Sequence, residues 1–329
     1  MTTKFEQLSN ELILICFSYF DFYELYDLFF SLNQRFNQLI QYQTKMHINL
    51  SSIPSGKFFT FFFHLNRFMT TTQNYPLSII ANDKCELNVI LQDDLFKEKF
   101  SKLKSLTLTN MDVEAIYSII FEKKAELYNS LERLTLLEMD RTADGGRFAI
   151  ENLCDSLISS KMKMLKYLNL NFQRFSCRCG RCSFEHDSIT YLYFNVLTNR
   201  EEKSLSSLKT IIIGNISDDD YCYSNTTVCF YSLITDLLPC LPKLKKLIIN
   251  SVHFEDYDYN QNHKELSITA ATPISPLNLK VIKIWINRYA DHRNDEKMYI
   301  NIIQNFFTNN NSSDMSTIKI FTINNKNVL

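Results

Sequence analysis

Residues 165–170 read LKYLNL, 208–213 LKTIII, 244–249 LKKLII and 279–284 LKVIKI, one six-residue pattern of apolar-x-x-apolar-x-apolar. The same hexad recurs as LKSLTL from Leu103, LERLTL from Leu131, ITYLYF from Ile189 and IKIFTI from Ile318. Alternation over its last four positions is the pattern of a strand with one face buried. Successive rows stand 19 to 39 residues apart, and the Ile189 row, 19 residues before the next, fits the series least well. Helix-capable stretches at 113–128, 148–159 and 231–238 lie between rows, and Pro239 and Pro242 end one such helix ahead of a strand. Polar strings such as ISDDDYCYSNTT and FFTNNNSSD read as exposed loops between repeats.

Strand plus helix, repeated, resembles a degenerate leucine-rich repeat, a unit of roughly 20–29 residues, with the longer intervals filled by inserted loops. The resemblance implies an α/β solenoid of horseshoe form. The first, fourth and sixth positions of each hexad would fill its core, and the intervening ones would face the open concave surface. There the early rows carry Ser105, Thr107, Arg133, Thr135, Tyr167 and Asn169, and the later rows carry Ile212, Lys246, Ile248, Val281, Lys283 and Trp285, of which Tyr167, Ile212, Lys246, Ile248, Lys283 and Trp285 are the candidate substrate-binding residues. Exposed apolar residues among lysines, beside the single tryptophan, are candidates to bind a protein substrate; the alternative is that a loop covers them.

Lysine fills the second hexad position at Lys104, Lys166, Lys209, Lys245, Lys280 and Lys319. Stacked strands would line these up. Such a ridge either steers an acidic or phosphorylated segment toward the surface or forms a solvated rim that discourages edge aggregation.

The N-terminal stretch LSNELILICFSYFDFYELYDLFFSLNQRFNQLI, residues 8–40, reads as three short helices. Ser9 and Asn10 suit the cap of the first, expected from Glu11 to about Asp21; the second runs from Tyr23 to about Leu32, and the third carries Phe36, Leu39 and Ile40. Leu12, Ile15, Cys16 and Tyr19 form one apolar stripe, yet Ile13, Leu14, Phe17 and Phe20 fill much of the remaining circumference. A helix apolar nearly all round needs a second surface to cover it.

Leu8, Glu11, Leu12, Ile13, Phe17, Tyr19, Phe20, Asp21, Glu24, Leu25, Leu28, Arg35, Phe36 and Leu39 stand at or near the marker positions of an F-box, which this segment resembles. Ser9 replaces the family's proline, and the stretch between Leu28 and Arg35 is one residue longer than its commonest form. The resemblance implies docking on a Skp-type adaptor through Leu8, Glu11, Leu12, Phe17 and Leu25, and through that adaptor membership of a cullin-RING ubiquitin ligase. Combined with the repeats, it implies an F-box protein with C-terminal leucine-rich repeats: an F-box module over 1–45, a linker or capping region over 46–95, and a substrate-binding repeat domain over 96–329. Such a protein is a non-catalytic substrate receptor of an SCF-type ligase. The alternative is a leucine-rich interaction scaffold with no ligase link, its helices a simple cap.

Ahead of the first hexad, KFFTFFFHLNRFM sets Phe58, Phe61, Phe62, Leu65 and Met69 at helical spacing, a core stripe expected to seal the helical module to the repeats. Elsewhere, FSCRCGRCSFEH brings Cys177, Cys179, Cys182 and His186 within ten residues, the number and kind of ligands a structural zinc takes. The close Cys177–Cys179 spacing is tight for two ligands of one metal, so reduced loop thiols are the alternative. No other cofactor is expected.

Composition excludes several classes. The 35 basic and 36 acidic residues nearly cancel, against the charge a nucleic-acid binder needs. Five scattered glycines supply no phosphate-cradling loop. Neither G-x-S-x-G nor H-E-x-x-H occurs, and no run approaches the roughly 20 apolar residues of a membrane helix. The opening residues carry no secretory pattern and the nine cysteines are odd in number, so an intracellular protein with reduced thiols, cytoplasmic or nuclear, is expected.

Overall fold

The computed structural model describes residues 4–30, 32–42, 46–92, 99–122, 126–139, 146–159, 161–172, 190–192, 194, 207–214, 226–254, 278–286, 296–310 and 317–322. The chain is α/β and divides into two compact units, Met1–Met111 with Ala115–Glu132, and Asp112–Glu114 with Arg133–Leu329.

The first unit opens with three helices, α1 (Asn10–Phe17), α2 (Phe22–Phe29) and α3 (Gln34–Tyr42). Helix α1 stops four residues short of the expected end because Asp21 starts the next helix. Its carboxylate accepts from the Glu24 N–H at 2.8 Å, while the Glu24 carboxylate accepts from the Asp21 N–H at 2.9 Å, a reciprocal capping box. Ser52 Oγ donates a second hydrogen bond to the Asp21 carboxylate at 2.7 Å. Asn33 caps α3 through the Phe36 N–H at 2.9 Å.

An aromatic core holds these helices. Phe17 lies 5.0 Å from Phe29 and 6.3 Å from Phe36, ring centre to ring centre, and Phe5 stacks on Phe29 at 5.6 Å. Burial of a side chain of this size contributes about 2–3 kcal/mol before entropy is counted. From the other side of α2, Phe22 and Tyr23 meet Phe61 and Phe68 of α4 (Phe58–Thr72), with Phe22 4.9 Å from Phe68 and Tyr23 5.3 Å from Phe61. The expected aromatic stripe is therefore a core face, with Phe58, Phe61, Leu65 and Met69 all buried.

Strands β1 (Met46–Asn49), β2 (Pro76–Ala81) and β3 (Ser105–Thr109) form a parallel ladder in this unit. The described residues 46–92 of the region expected to link or cap thus contain β1, α4, β2 and the helix α5 (Lys84–Gln92). Gln73 ends α4 in the left-handed region at φ 56°, its N–H returning to the Met69 carbonyl at 2.9 Å.

In the second unit β4 (Arg133–Met139), β5 (Tyr167–Phe172), β7 (Thr210–Ile213), β9 (Lys246–His253), β10 (Val281–Ile286) and β11 (Thr317–Thr322) lie side by side in one parallel ladder. Helices Gly146–Ile158 and Glu296–Asn310 follow β4 and β10 in sequence. Hexad positions one, four and six are core: Leu165, Leu168 and Leu170, Leu208, Ile211 and Ile213, Leu244, Leu247 and Ile249, and Leu279, Ile282 and Ile284 are all buried.

Two rows depart from the expected series. The Ile189 row becomes β6 (Thr190–Leu192), which leaves the main ladder and pairs with β8 (Thr226–Cys229); β8 in turn pairs with the end of β9. Strand β5 instead adjoins β7 directly. In the last row Val281 stands opposite Thr317 and Lys283 opposite Lys319, so Ile318 is the fourth position of its hexad and not the first. The frame therefore begins at Met315, and Lys319 leaves the lysine ridge for the strand face beside Lys283.

Candidate protein-docking surfaces

In the first unit the five residues carried over from the F-box pattern separate into two groups. Glu11 and Leu12 are exposed and Leu8 is half-buried, whereas Phe17 and Leu25 are closed into the core at 0% and 2% exposure. This corrects the expectation for Phe17 and Leu25: both are closed off from solvent, Phe17 against Phe29 and Phe36, so they act as scaffold and offer no surface to a partner.

An apolar face nonetheless remains. Leu12, Ile15 and Tyr19 on α1 and the turn after it, with Leu28 and Leu32 on α2 and the turn after it, are between 49% and 84% exposed. Sequence reasoning passed over Ile15, Tyr19, Leu28 and Leu32 as docking residues. The signal was the competition of two stripes on α1: Ile13 and Phe17 turn inward, and Leu12, Ile15 and Tyr19 are left outward.

Arg35 fixes the approach to α1. Its guanidinium donates to the Glu6 carbonyl at 2.6 Å, the Leu8 carbonyl at 2.5 Å and Asn10 Oδ1 at 2.8 Å, holding the turn that carries Leu8 against α3. Glu11, at the positive end of α1, has its carboxyl held below the ordinary carboxylate range by a backbone hydrogen bond, the Ser9 side chain and, at longer reach, Arg35. The face thus pairs apolar side chains with a carboxylate that stays ionised.

In the second unit the six predicted substrate residues occupy one face of the sheet, each half-buried; Ile212, Ile248, Lys283 and Trp285 lie between buried residues of their strands, and Tyr167 and Lys246 open theirs. Two rows run across the strands in register. Arg133, Tyr167, Thr210, Lys246, Val281 and Thr317 form the first; Thr135, Asn169, Ile212, Ile248, Lys283 and Lys319 form the second. Ile212, Ile248 and Lys283 are consecutive neighbours, and Trp285 lies two residues beyond Lys283 on the same face, opposite Phe321 in register.

The surface is graded. At one side the Arg133 guanidinium sits 4.2 Å above the centre of the Tyr167 ring. Asn169 follows, its side-chain oxygen buried with no hydrogen-bond partner among the described residues. Ile212 and Ile248 come next, and Lys283 and Lys319 close the row. Apolar centre, aromatic edge and cationic ends make a surface suited to a polypeptide carrying both apolar and acidic groups.

Cys177, Cys179, Cys182 and His186 lie outside the described residues. Among the described residues no cluster of three or more His, Cys, Asp or Glu side chains could hold a metal ion, and no helix is long and apolar enough to cross a membrane. Cys16, Cys85 and Cys154 are free thiols. Burial pushes the Cys154 thiol far up, which keeps it protonated and unreactive.

No protein-family model matches this sequence, and no curated protein matches it significantly.

Proposed function

We propose that this protein is a non-catalytic substrate receptor of an SCF-type ubiquitin ligase. The α1–α2 face would dock a Skp-type adaptor, and the sheet face would hold a protein substrate. The observation that carries the reading is a helical unit whose aromatic core is already complete, yet which keeps Leu12, Ile15, Tyr19, Leu28 and Leu32 outside it. Leaving that much apolar surface in water opposes solubility, and association with a second polypeptide removes it. Residence in the cytoplasm or nucleus belongs to the same reading.

Co-expression of the full chain with a Skp-type adaptor tests it. The reading requires a stable complex on gel filtration that is lost on Leu12→Asp combined with Ile15→Asp, two exposed positions whose change leaves the core intact. Failure of the unaltered chain to capture the adaptor, or capture by the doubly altered one, overturns it.

A scaffold with no ligase link is the second reading, favoured by the burial of Phe17 and Leu25, two of the five carried-over positions. It keeps the sheet face as a protein-binding surface and assigns α1 to some other partner.

A further inference from the structure

Among the described residues β11 stands at the edge of the ladder, paired with β10 alone. In β4, β5, β7, β9 and β10 the fourth and sixth hexad residues, from Leu134 and Leu136 to Ile282 and Ile284, are all 0% exposed. Their counterparts in β11, Ile318 and Ile320, lie in register with Ile282 and Ile284 but are only half-buried. The backbone of β11 is open as well. The Thr317 N–H donates to the Lys280 carbonyl at 3.2 Å, toward β10. Successive residues of a strand turn their N–H and C=O groups to alternate sides, so those of Ile318 and Ile320 face the outer edge.

Such an edge is a template for one more strand, whose backbone would bond to Ile318 and Ile320 and whose apolar side chains would cover theirs, as each earlier row is covered by the next. Lys319 decides the chemistry of that strand. It is exposed, lies on the opposite face of β11 from Ile318 and Ile320, and stands in register with Lys283. None of the residues in the two rows that cross this face is acidic. Opposite charges facing each other on neighbouring strands favour pairing, and like charges oppose it. A second copy adding its own β11 would bring another Lys283 and another Lys319 to the same face, which disfavours it.

We infer that β11 accepts an extended segment of a partner protein as an added strand, one that sets apolar residues beside Ile318 and Ile320 and an acidic residue beside Lys319. This site is the edge of the sheet and neither its face nor α1, so it stands apart from both docking readings. Side chains of a strand alternate between its two faces, so apolar, acidic, apolar is the shortest such segment whichever way it runs. Its direction shows in the backbone. In a parallel pair the residue opposite Lys319 bonds to Ile318 and Ile320 through its own N–H and C=O, whereas in an antiparallel pair the residues opposite Ile318 and Ile320 do so.

The test uses the full chain and labelled ten-residue peptides followed by fluorescence anisotropy. One peptide alternates valine with glutamate, one has the same residues with the valines and glutamates in separate blocks, and one alternates valine with lysine. The alternating glutamate peptide should bind at least tenfold more tightly than the other two. Lys319→Glu, a change at an exposed position, should weaken the glutamate peptide tenfold or more and strengthen the lysine peptide. N-methylation of the glutamate amides should abolish binding if the added strand is parallel, and N-methylation of the valine amides if it is antiparallel, so one form should lose at least tenfold more than the other. Absence of binding, equal binding of the alternating and blocked glutamate peptides, indifference to Lys319→Glu, or equal losses from the two methylated forms overturns the inference. A dimer of the unaltered chain in sedimentation that excludes the glutamate peptide gives the edge to a second copy and overturns it too.

Discussion

Lys104 and Glu132 are joined twice: the Glu132 N–H donates to the Lys104 carbonyl at 2.8 Å, and their side chains form an ion pair at 2.9 Å. Both side chains are partly exposed, so the pair contributes about 0.2–1 kcal/mol. Glu132→Lys should lower stability by about that amount or somewhat more, since it adds repulsion to the lost attraction. Lys104→Glu combined with Glu132→Lys should recover most of it. Urea denaturation of the four members of this cycle measures the coupling directly.

Phe17 and Leu12 share α1 but should respond to substitution in opposite ways. Phe17 is fully enclosed among Phe29, Phe36 and their neighbours, so Phe17→Ala should cost about 3–5 kcal/mol. Leu12→Asp changes an exposed position and should move stability by no more than about 0.5 kcal/mol. Thermal melting of the two variants, read beside adaptor capture, separates a scaffold residue from a docking residue.

Arg35 reaches three acceptors on the chain entering α1, and only a planar fork reaches them together. Arg35→Lys keeps the charge but should lose about 2 kcal/mol, because two carbonyls of the turn are left without their donor. Hydrogen exchange should show the effect at the Leu8 amide, which bonds to the Phe5 carbonyl at 3.2 Å within that turn, before it shows it at the core of α3.

The repeated strands were legible because three of every six residues are large and apolar, a density that survives degenerate spacing. Strand β2 was hidden: its residues in the first and sixth places of the hexad are Pro76 and Ala81, too small or too unusual to register as core positions. Strand β8, TTVC, was hidden because its buried threonines serve hydrogen bonds. Thr226 Oγ1 accepts from the Phe172 N–H at 2.9 Å, and Thr227 Oγ1 meets Ser251 Oγ at 2.7 Å. The frame of β11 was ambiguous because Met315 and Ile318 both open an acceptable hexad, and only the pairing of Val281 with Thr317 decides between them. On α1 the periodicity revealed two apolar stripes without saying which turns inward; that depends on Phe29 and Phe36, residues from two other helices.

His253 and Asp155 should give the second unit a pH response of two opposed parts. Burial pushes the His253 imidazole from its ordinary 6.5 down to about 4, so the folded chain keeps it neutral where the unfolded chain takes up a proton. Its contribution is therefore fully present above pH 6.5 and is lost as pH falls toward about 4, by an amount on the order of 3 kcal/mol at most. Asp155 acts in the other direction: burial, then the nearby Glu151, raises its carboxyl from 3.8 to about 6. The folded chain holds that proton where the unfolded chain has released it, so this contribution falls as pH rises through the same window. It is the smaller of the two, because Asp155 is only half-buried and solvent screens it. Between pH 4 and 6 the slopes oppose each other, and above 6 that of histidine acts alone. Asp155→Asn should consequently steepen the rise in urea midpoint from pH 4 to 6.5, whereas His253→Gln should turn that rise into a shallow fall. Midpoints that run parallel to the unaltered protein's across pH 4 to 7 in both variants would show that neither group carries the response.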